Sequence, residues 1–180
     1  MCSNSDCILE LDVVDSSGTP IEGASVGFMG CSAGKTDSTG YIAALAPCGA
    51  GSLYVYKRGY GEFIESRTSS ELSGTVMLYR KPNINIVLHE VRVHQQGDGN
   101  YMVYYGDVLP MDNNKAYITF KSNRDFSDYS FYAGDSSLTV SLPEGSYYVS
   151  GSLMSPDYQS VEGAFAYVFD ITEETNTLHI

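Results

Sequence analysis

The sequence has no tryptophan, only three histidines, and ten lysines and arginines against 22 aspartates and glutamates. The formal net charge is therefore −12. A groove that holds nucleic-acid phosphates needs the opposite sign, so DNA and RNA are excluded as partners. No apolar run approaches the roughly 18 residues that suggest a membrane-spanning helix. No basic segment followed by an apolar stretch opens the chain; the expectation is a chain already processed, or one never exported through a signal peptide. Eighteen glycines, with few alanines and leucines, lean away from helix. What is present is a globular composition, 43% hydrophobic, with 15 tyrosines and 7 phenylalanines. A chain of 180 residues allows one large β domain or two small ones, and either can close a core.

Short runs rich in β-branched and aromatic residues recur between clusters of Gly, Ser, Asp, Asn and Pro. Residues 8–14, 24–29, 41–46, 52–57 and 75–79 read as strands. A second series covers 83–93, 101–108, 115–121, 138–142, 146–153, 164–170 and 177–180. Alternation is clear in places: Ala24, Val26 and Phe28 share one face, while Leu53 and Val55 oppose Tyr54 and Tyr56. No apolar stripe of helical period runs for three turns. The chain is predicted to be all-β.

The two halves read as versions of one unit. Ala24-Ser25-Val26-Gly27-Phe28 matches Ala116-Tyr117-Ile118-Thr119-Phe120, and Gly51-Ser52-Leu53-Tyr54-Val55 matches Gly145-Ser146-Tyr147-Tyr148-Val149. Both matches keep strand position and order. They set a boundary near Arg80-Lys81-Pro82, where a proline interrupts two strand-like runs. The expected domains are 1–80 and 81–180, with the run 83–93 as a linking strand, either shared by the two units or belonging to the second. The second carries 13 acidic residues against 5 basic ones, and 10 of the 15 tyrosines.

The stretch Val14-Asp15-Ser16-Ser17-Gly18-Thr19-Pro20-Ile21-Glu22-Gly23-Ala24-Ser25-Val26 resembles the opening of a carboxypeptidase regulatory-like domain. Thr36-Asp37-Ser38-Thr39-Gly40-Tyr41 and Lys57-Arg58-Gly59-Tyr60 continue the resemblance, which covers about 75 residues. Such domains are similar to transthyretin and to the B-type repeats of bacterial surface adhesins. The resemblance implies two tandem transthyretin-like (Ig-like Greek-key) β-sandwiches, each seven-stranded, the second half joining only through the internal repeat. It also implies a structural, adhesive or binding accessory; membership alone does not imply peptidase activity, and fold does not dictate function. The adhesin relatives often carry a Lys–Asn isopeptide bond whose lysine lies in the first strand. Residues 8–14 contain no lysine, so that cross-link is not expected in the first half.

Cys2, Cys7, Cys31 and Cys48 all fall in the first half. The first strand starts beside Cys7, the second runs back to end beside Cys31, and the strand after the Gly40 turn returns to Cys48. All four thiols should gather at one end of the first sandwich. An even, clustered count points to two disulfides in an oxidising compartment, with three connectivities open. Free buried thiols are the plain alternative, and a four-thiolate zinc site would lack any C-x2-C pair. Cys2-Ser3-Asn4-Ser5-Asp6 also resembles the mature start of a bacterial lipoprotein, a reading that places a lipid anchor on Cys2.

No catalytic residues, cofactor or metal site are expected. His89 and His94 stand five apart in a strand-like run, where side chains point to opposite faces, so they cannot share a metal without a bulge. No nucleophile elbow, P-loop or dinucleotide glycine pattern occurs. Gly97-Asp98-Gly99-Asn100 and Asp112-Asn113-Asn114 offer hard oxygen ligands for calcium, yet ordinary turn chemistry explains them equally well. Exposed rings among Tyr104, Tyr105, Tyr129, Tyr132, Tyr147, Tyr148 and Tyr158 are the candidate contact residues, adjacent pairs necessarily turning one ring outward. Tyrosine is also a good strand former that packs in cores. The expectation is a non-catalytic structural or adhesive protein on a cell surface or outside the cell, or on a virion exterior. It would contact protein partners or copies of itself. A carbohydrate- or small-ligand-binding module is the alternative.

Overall fold

The computed structural model describes residues 6–95, 101–109, 115–124, 127–155, 157 and 161–180. The chain divides into two compact units, Met1–Lys81 and Pro82–Ile180, and each is a β-sandwich.

The first unit contains β1 (Cys7–Val14), β2 (Ser25–Phe28), β3 (Cys31–Lys35), β4 (Tyr41–Ala46), β5 (Ala50–Tyr56), β6 (Phe63–Thr68) and β7 (Ser73–Met77). One 3-10 turn, Ser69–Glu71, precedes β7. Leu9, Leu11 and Val13 of β1 alternate with Ile8, Glu10 and Asp12, so one face of the strand is fully buried and the other is wet. β1 sits at the centre of a three-stranded sheet, antiparallel to β4 and parallel to β7. The facing sheet runs β3-β2-β5-β6, all antiparallel. Val26, Phe28, Leu53 and Val55 project from it onto Leu9, Leu11, Val13, Ile42 and Val76, closing one apolar core.

The second unit repeats that plan strand for strand. β8 (Asn83–Val87) takes the place of β1, with β13 (Ser137–Ser141) antiparallel on one side and β16 (Thr177–His179) parallel on the other. The facing sheet runs β12 (Asp128–Ala133), β11 (Lys115–Ser122), β14 (Gly145–Met154), β15 (Val161–Ile171). The matched segments fall on β2 and β11 and on β5 and β14, each pair at the same place in its sheet. A hairpin of β9 (His89–Gln95) and β10 (Tyr101–Val108) is inserted between the first and second strands of this unit. The run 83–93 is thus two strands and not one linking strand: Leu88 breaks it, its N–H reaching Ser136 O and its C=O accepting from Leu109 N.

β3, β6 and β12 escape the sequence reading. All three are edge strands of four-stranded sheets, so each holds only one ladder and buries little of its length. β3 is small and polar, while β6 and β12 set a few large apolar residues among polar ones, and none of the three carries the β-branched runs that mark central strands.

Two turns of the same sequence pattern carry the first unit's chain between its sheets. In Asp15-Ser16-Ser17-Gly18-Thr19, Asp15 Oδ1 accepts from Ser17 N, Ser17 Oγ and Thr19 N at 3.0, 2.6 and 2.9 Å. In Asp37-Ser38-Thr39-Gly40-Tyr41, Asp37 Oδ1 accepts from Thr39 N, Thr39 Oγ1 and Tyr41 N at 2.8, 2.7 and 3.1 Å. The short carboxylate replaces backbone acceptors the turn cannot supply. The two differ in burial. Asp37 is exposed, whereas Asp15 is 1% exposed and takes a further bond from Arg80, 3.1 Å from its Oδ2. Burial on its own pushes the Asp15 carboxyl up. The Ser17, Thr19 and Arg80 donors outweigh it and hold the group at about 2, below its usual 3.8.

Gly18 and Gly40 occupy the same place in the two turns, at φ +82° and +78°. A Cβ on Gly18 would meet open space, but one on Gly40 would lie 2.6 Å from Val13 O and 3.1 Å from Ile21 N. Gly18→Ala should cost only left-handed backbone strain, about 1–2 kcal/mol. Gly40→Ala should lose about 1–3 kcal/mol more through overpacking, read as the difference between the two urea unfolding curves. For Asp15 the depressed carboxyl means that its contribution is complete above its unfolded pKa, near 3.8. It is lost as pH falls through about 2, some 2 kcal/mol in all. Urea midpoints measured between pH 5 and 2 should therefore fall less steeply in Asp15→Asn than in the wild type.

Candidate interaction surface

On the four-stranded sheet of the second unit, alternation sorts every side chain. Ala116, Ile118 and Phe120 of β11 enter the core, so Tyr117, Thr119 and Lys121 face outward. Registers then place Tyr132 beside Tyr117, Ser130 beside Thr119 and Asp128 beside Lys121 on β12. On the other side β14 sets Ser152, Ser150 and Tyr148 against the same three residues. β15 completes the face with Ala164, Ala166 and Val168. The result is a floor of small side chains with tyrosines standing at its ends. Tyr117, Tyr132 and Tyr148 are 48%, 49% and 46% exposed. Within the floor, the Thr119 and Ser130 hydroxyls share a hydrogen bond at 3.1 Å.

The structure separates the predicted contact residues. Tyr132 and Tyr148 stand on this outer face. Tyr147 does not: it is fully buried, and its hydroxyl donates to Pro143 O at 2.7 Å. Tyr129 also points inward, half-buried, its ring edge-on to Tyr147 at 6.1 Å. Both belong to the core, because inward positions of β12 and β14 face the three-stranded sheet. Tyr104 and Tyr105 pair with Arg92 and Val91 in the hairpin backbone. Tyr158 lies outside the described residues, as do the candidate calcium-loop residues 97–100 and 112–114.

Tyr117 was missed, although Ile118 and Phe120 beside it already assign it to the opposite face. The first unit was missed as well. Its four-stranded sheet exposes Tyr54 and Tyr56, with ring centroids 6.4 Å apart and planes 11° from parallel. Ser25 and Gly27 lie opposite them on β2, and Ile64 on β6. Tyr54 and Tyr148 are equivalent residues of the repeat, so both units present a tyrosine at one place on the same sheet face. Burial, then the Glu62 charge and Tyr56, pushes the Tyr54 phenol up. Burial, followed by Glu10, Asp12 and Asp37, does the same for Tyr41 on the other sheet. Both rings stay protonated donors at neutral pH.

Cys7 and Cys48 mark one end of the first sandwich. Cys7 at the start of β1 is bonded to Cys48 just after β4, across 41 residues. Closing that loop is worth about 4 kcal/mol in the chain-entropy model. Cys31 is disulfide-bonded too. Of the three connectivities, any that joins Cys31 to Cys48 is ruled out; Cys2 lies outside the described residues.

No protein-family model matches the sequence, and no curated protein is significantly similar to it. Among solved structures, the TIE protein of Bacillus anthracis is similar at 15% identity with a TM-score of 0.34, over 97% of this chain. The present chain spans 33% of that protein's length. The minor pilin of Streptococcus agalactiae is similar at 11% identity and a TM-score of 0.35, over 96% of this chain and 93% of its own. The major pilin subunit of Bacillus cereus is similar at 10% identity and a TM-score of 0.28, over 97% of each chain.

Core and surface tyrosines should separate on substitution. Tyr147→Phe strands the Pro143 carbonyl in the interior and should cost about 1–3 kcal/mol. Tyr148→Phe, one residue on, should stay within about 0.5 kcal/mol. Paired thermal unfolding curves check the contrast.

Proposed function

We propose that this chain is a non-catalytic, surface-exposed structural or adhesive protein, built from two carboxypeptidase regulatory-like sandwiches, that works through protein–protein contact or assembly. The observation that carries the reading is the repeated exposure of tyrosine on one face of both four-stranded sheets, at Tyr54 and Tyr148, over floors of serine, glycine, threonine and alanine. Tyrosine offers large, rigid, amphipathic area at small entropic cost, which suits it to contact hot spots. Tyr54 stands between Gly27 and Ile64 and Tyr148 between Lys121 and Val168, while the small residues farther along each floor leave room for a partner to pack against the rings. The disulfide at the Cys7 end supports an oxidising, extracellular setting.

The buried polar side chains favour the same reading. Asp15 and Thr36 serve turns and crossovers: Thr36 Oγ1 donates to Ile21 O and accepts from Ala24 N. Ser122 caps a turn through Arg124 N, and Ser155 donates to Asp157. Each is engaged in holding backbone or loop.

Sedimentation velocity over a concentration series tests the contact face. The wild type should associate, and a Tyr117→Ser, Tyr132→Ser, Tyr148→Ser variant should need at least about tenfold more protein to do so. A wild type that stays monomeric but is retained on immobilised glycans would replace this reading with the carbohydrate one. A monomer that the triple variant matches in every concentration would end self-assembly as the use of this face.

A further inference from the structure

The second unit brings together two histidines that lie 90 residues apart. His89 opens β9 and His179 closes β16, and their ring nitrogens meet, His89 Nε2 to His179 Nδ1, at 2.8 Å. The rings lie 5.0 Å apart between centroids with planes 50° apart. The other nitrogen of His89, Nδ1, is 3.1 Å from Gly106 O in β10. A carbonyl only accepts, so Nδ1 carries a proton, and in the neutral ring the Nε2 lone pair faces His179.

We propose that His89 and His179 form a two-imidazole site for a borderline divalent transition-metal cation of the Zn2+ or Cu2+ type. Imidazole is the ligand these ions favour. A backbone carbonyl that holds the far N–H of a ligating histidine is the usual support for such a ring, fixing its tautomer and orientation. Without the ion, His179 Nδ1–H donates to His89 Nε2. With it, the His179 proton moves to Nε2, freeing the Nδ1 lone pair, and both nitrogens coordinate with no net release of a proton. Metal–nitrogen bonds of about 2.0–2.1 Å put two ligands on one ion roughly 3–3.3 Å apart, so the pair must open by a few tenths of an ångström and the rings must turn until both lone pairs converge on the ion. His179 is exposed and His89 half-buried, which leaves the remaining coordination positions open to water. The excess of carboxylates over the whole chain favours a cation over an anion at any such exposed pair. A bound ion would fasten β16, a three-residue strand, to the start of the inserted hairpin.

The test uses the full chain and ZnCl2 or CuCl2 alone. Calorimetry should show one Zn2+ or Cu2+ bound per chain, undisturbed by excess Mg2+ or Ca2+, which prefer oxygen ligands. The unfolding temperature should rise with the logarithm of metal concentration. Imidazole 15N spectra should show His179 changing from the Nδ1–H to the Nε2–H tautomer as metal is added, with His89 keeping Nδ1–H. His179→Ala and His89→Gln should each weaken binding at least about tenfold, while His94→Ala should leave it unchanged. Ring nitrogen shifts that stay fixed up to millimolar Zn2+ and Cu2+ would reduce the pair to a shared proton and overturn the site. Wild-type affinity in His179→Ala would overturn it equally, by moving the binding elsewhere.

Discussion

A buried carboxylate organises the first sandwich. Asp15 stands where the chain leaves β1 in one sheet to reach β2 in the other, and with 1% exposure it has almost no water to solvate its charge. The turn must therefore solvate it, through the Ser17 and Thr19 backbone, the Ser17 hydroxyl and the Arg80 guanidinium. Arg80 comes from the far end of the unit, 65 residues on. One ion thus ties the first crossover to the segment that leaves the last strand. The neighbouring Asp37 turn lies against it, with Val13 N donating to Gly40 O and Ile21 N to Val13 O. This packing explains why two glycines with one backbone conformation meet such different surroundings.

The second unit reaches the same strand order with no buried carboxylate among its described residues. Its first crossover is occupied by the β9–β10 hairpin, and its core uses larger side chains. Leu53 of the first unit corresponds to Tyr147 of the second, which fills more volume but brings a hydroxyl that needs Pro143 O inside the sandwich. Phe120 packs edge-on against both Phe131 and Tyr147. The two units thus reach one topology by different chemistry: a solvated ion at a turn in one, aromatic packing in the other. Sequence identity between them is low, while β2 and β11, and β5 and β14, share one alternation.

Much of this was legible in the residues, and the exceptions share a cause. Central strands announce themselves because both neighbours and one buried face constrain them, as in Leu9-Glu10-Leu11-Asp12-Val13. β3, with Cys31-Ser32-Ala33-Gly34-Lys35, is held on one side only and tolerates almost any composition. Leu88 reads as part of one continuous apolar run because a break set by partners at Ser136 and Leu109 leaves no mark in local sequence. Among the tyrosines, adjacency showed that one of Tyr147 and Tyr148 must be outward, but which one depends on the phase of the whole strand. Tyr117 could have been assigned from Ile118 and Phe120 alone. The meeting of His89 with His179 depends on a parallel ladder between β8 and β16, a contact that no local pattern encodes.

That parallel ladder recurs in both units, β1 with β7 and β8 with β16. In each, the strand that enters the unit lies alongside the strand that leaves it, pointing the same way. Tension applied along the polypeptide would draw such a pair lengthwise past each other, loading their hydrogen bonds together in shear instead of peeling them open one by one. A molecule wired in this manner resists stretching at the seam where each sandwich begins and ends.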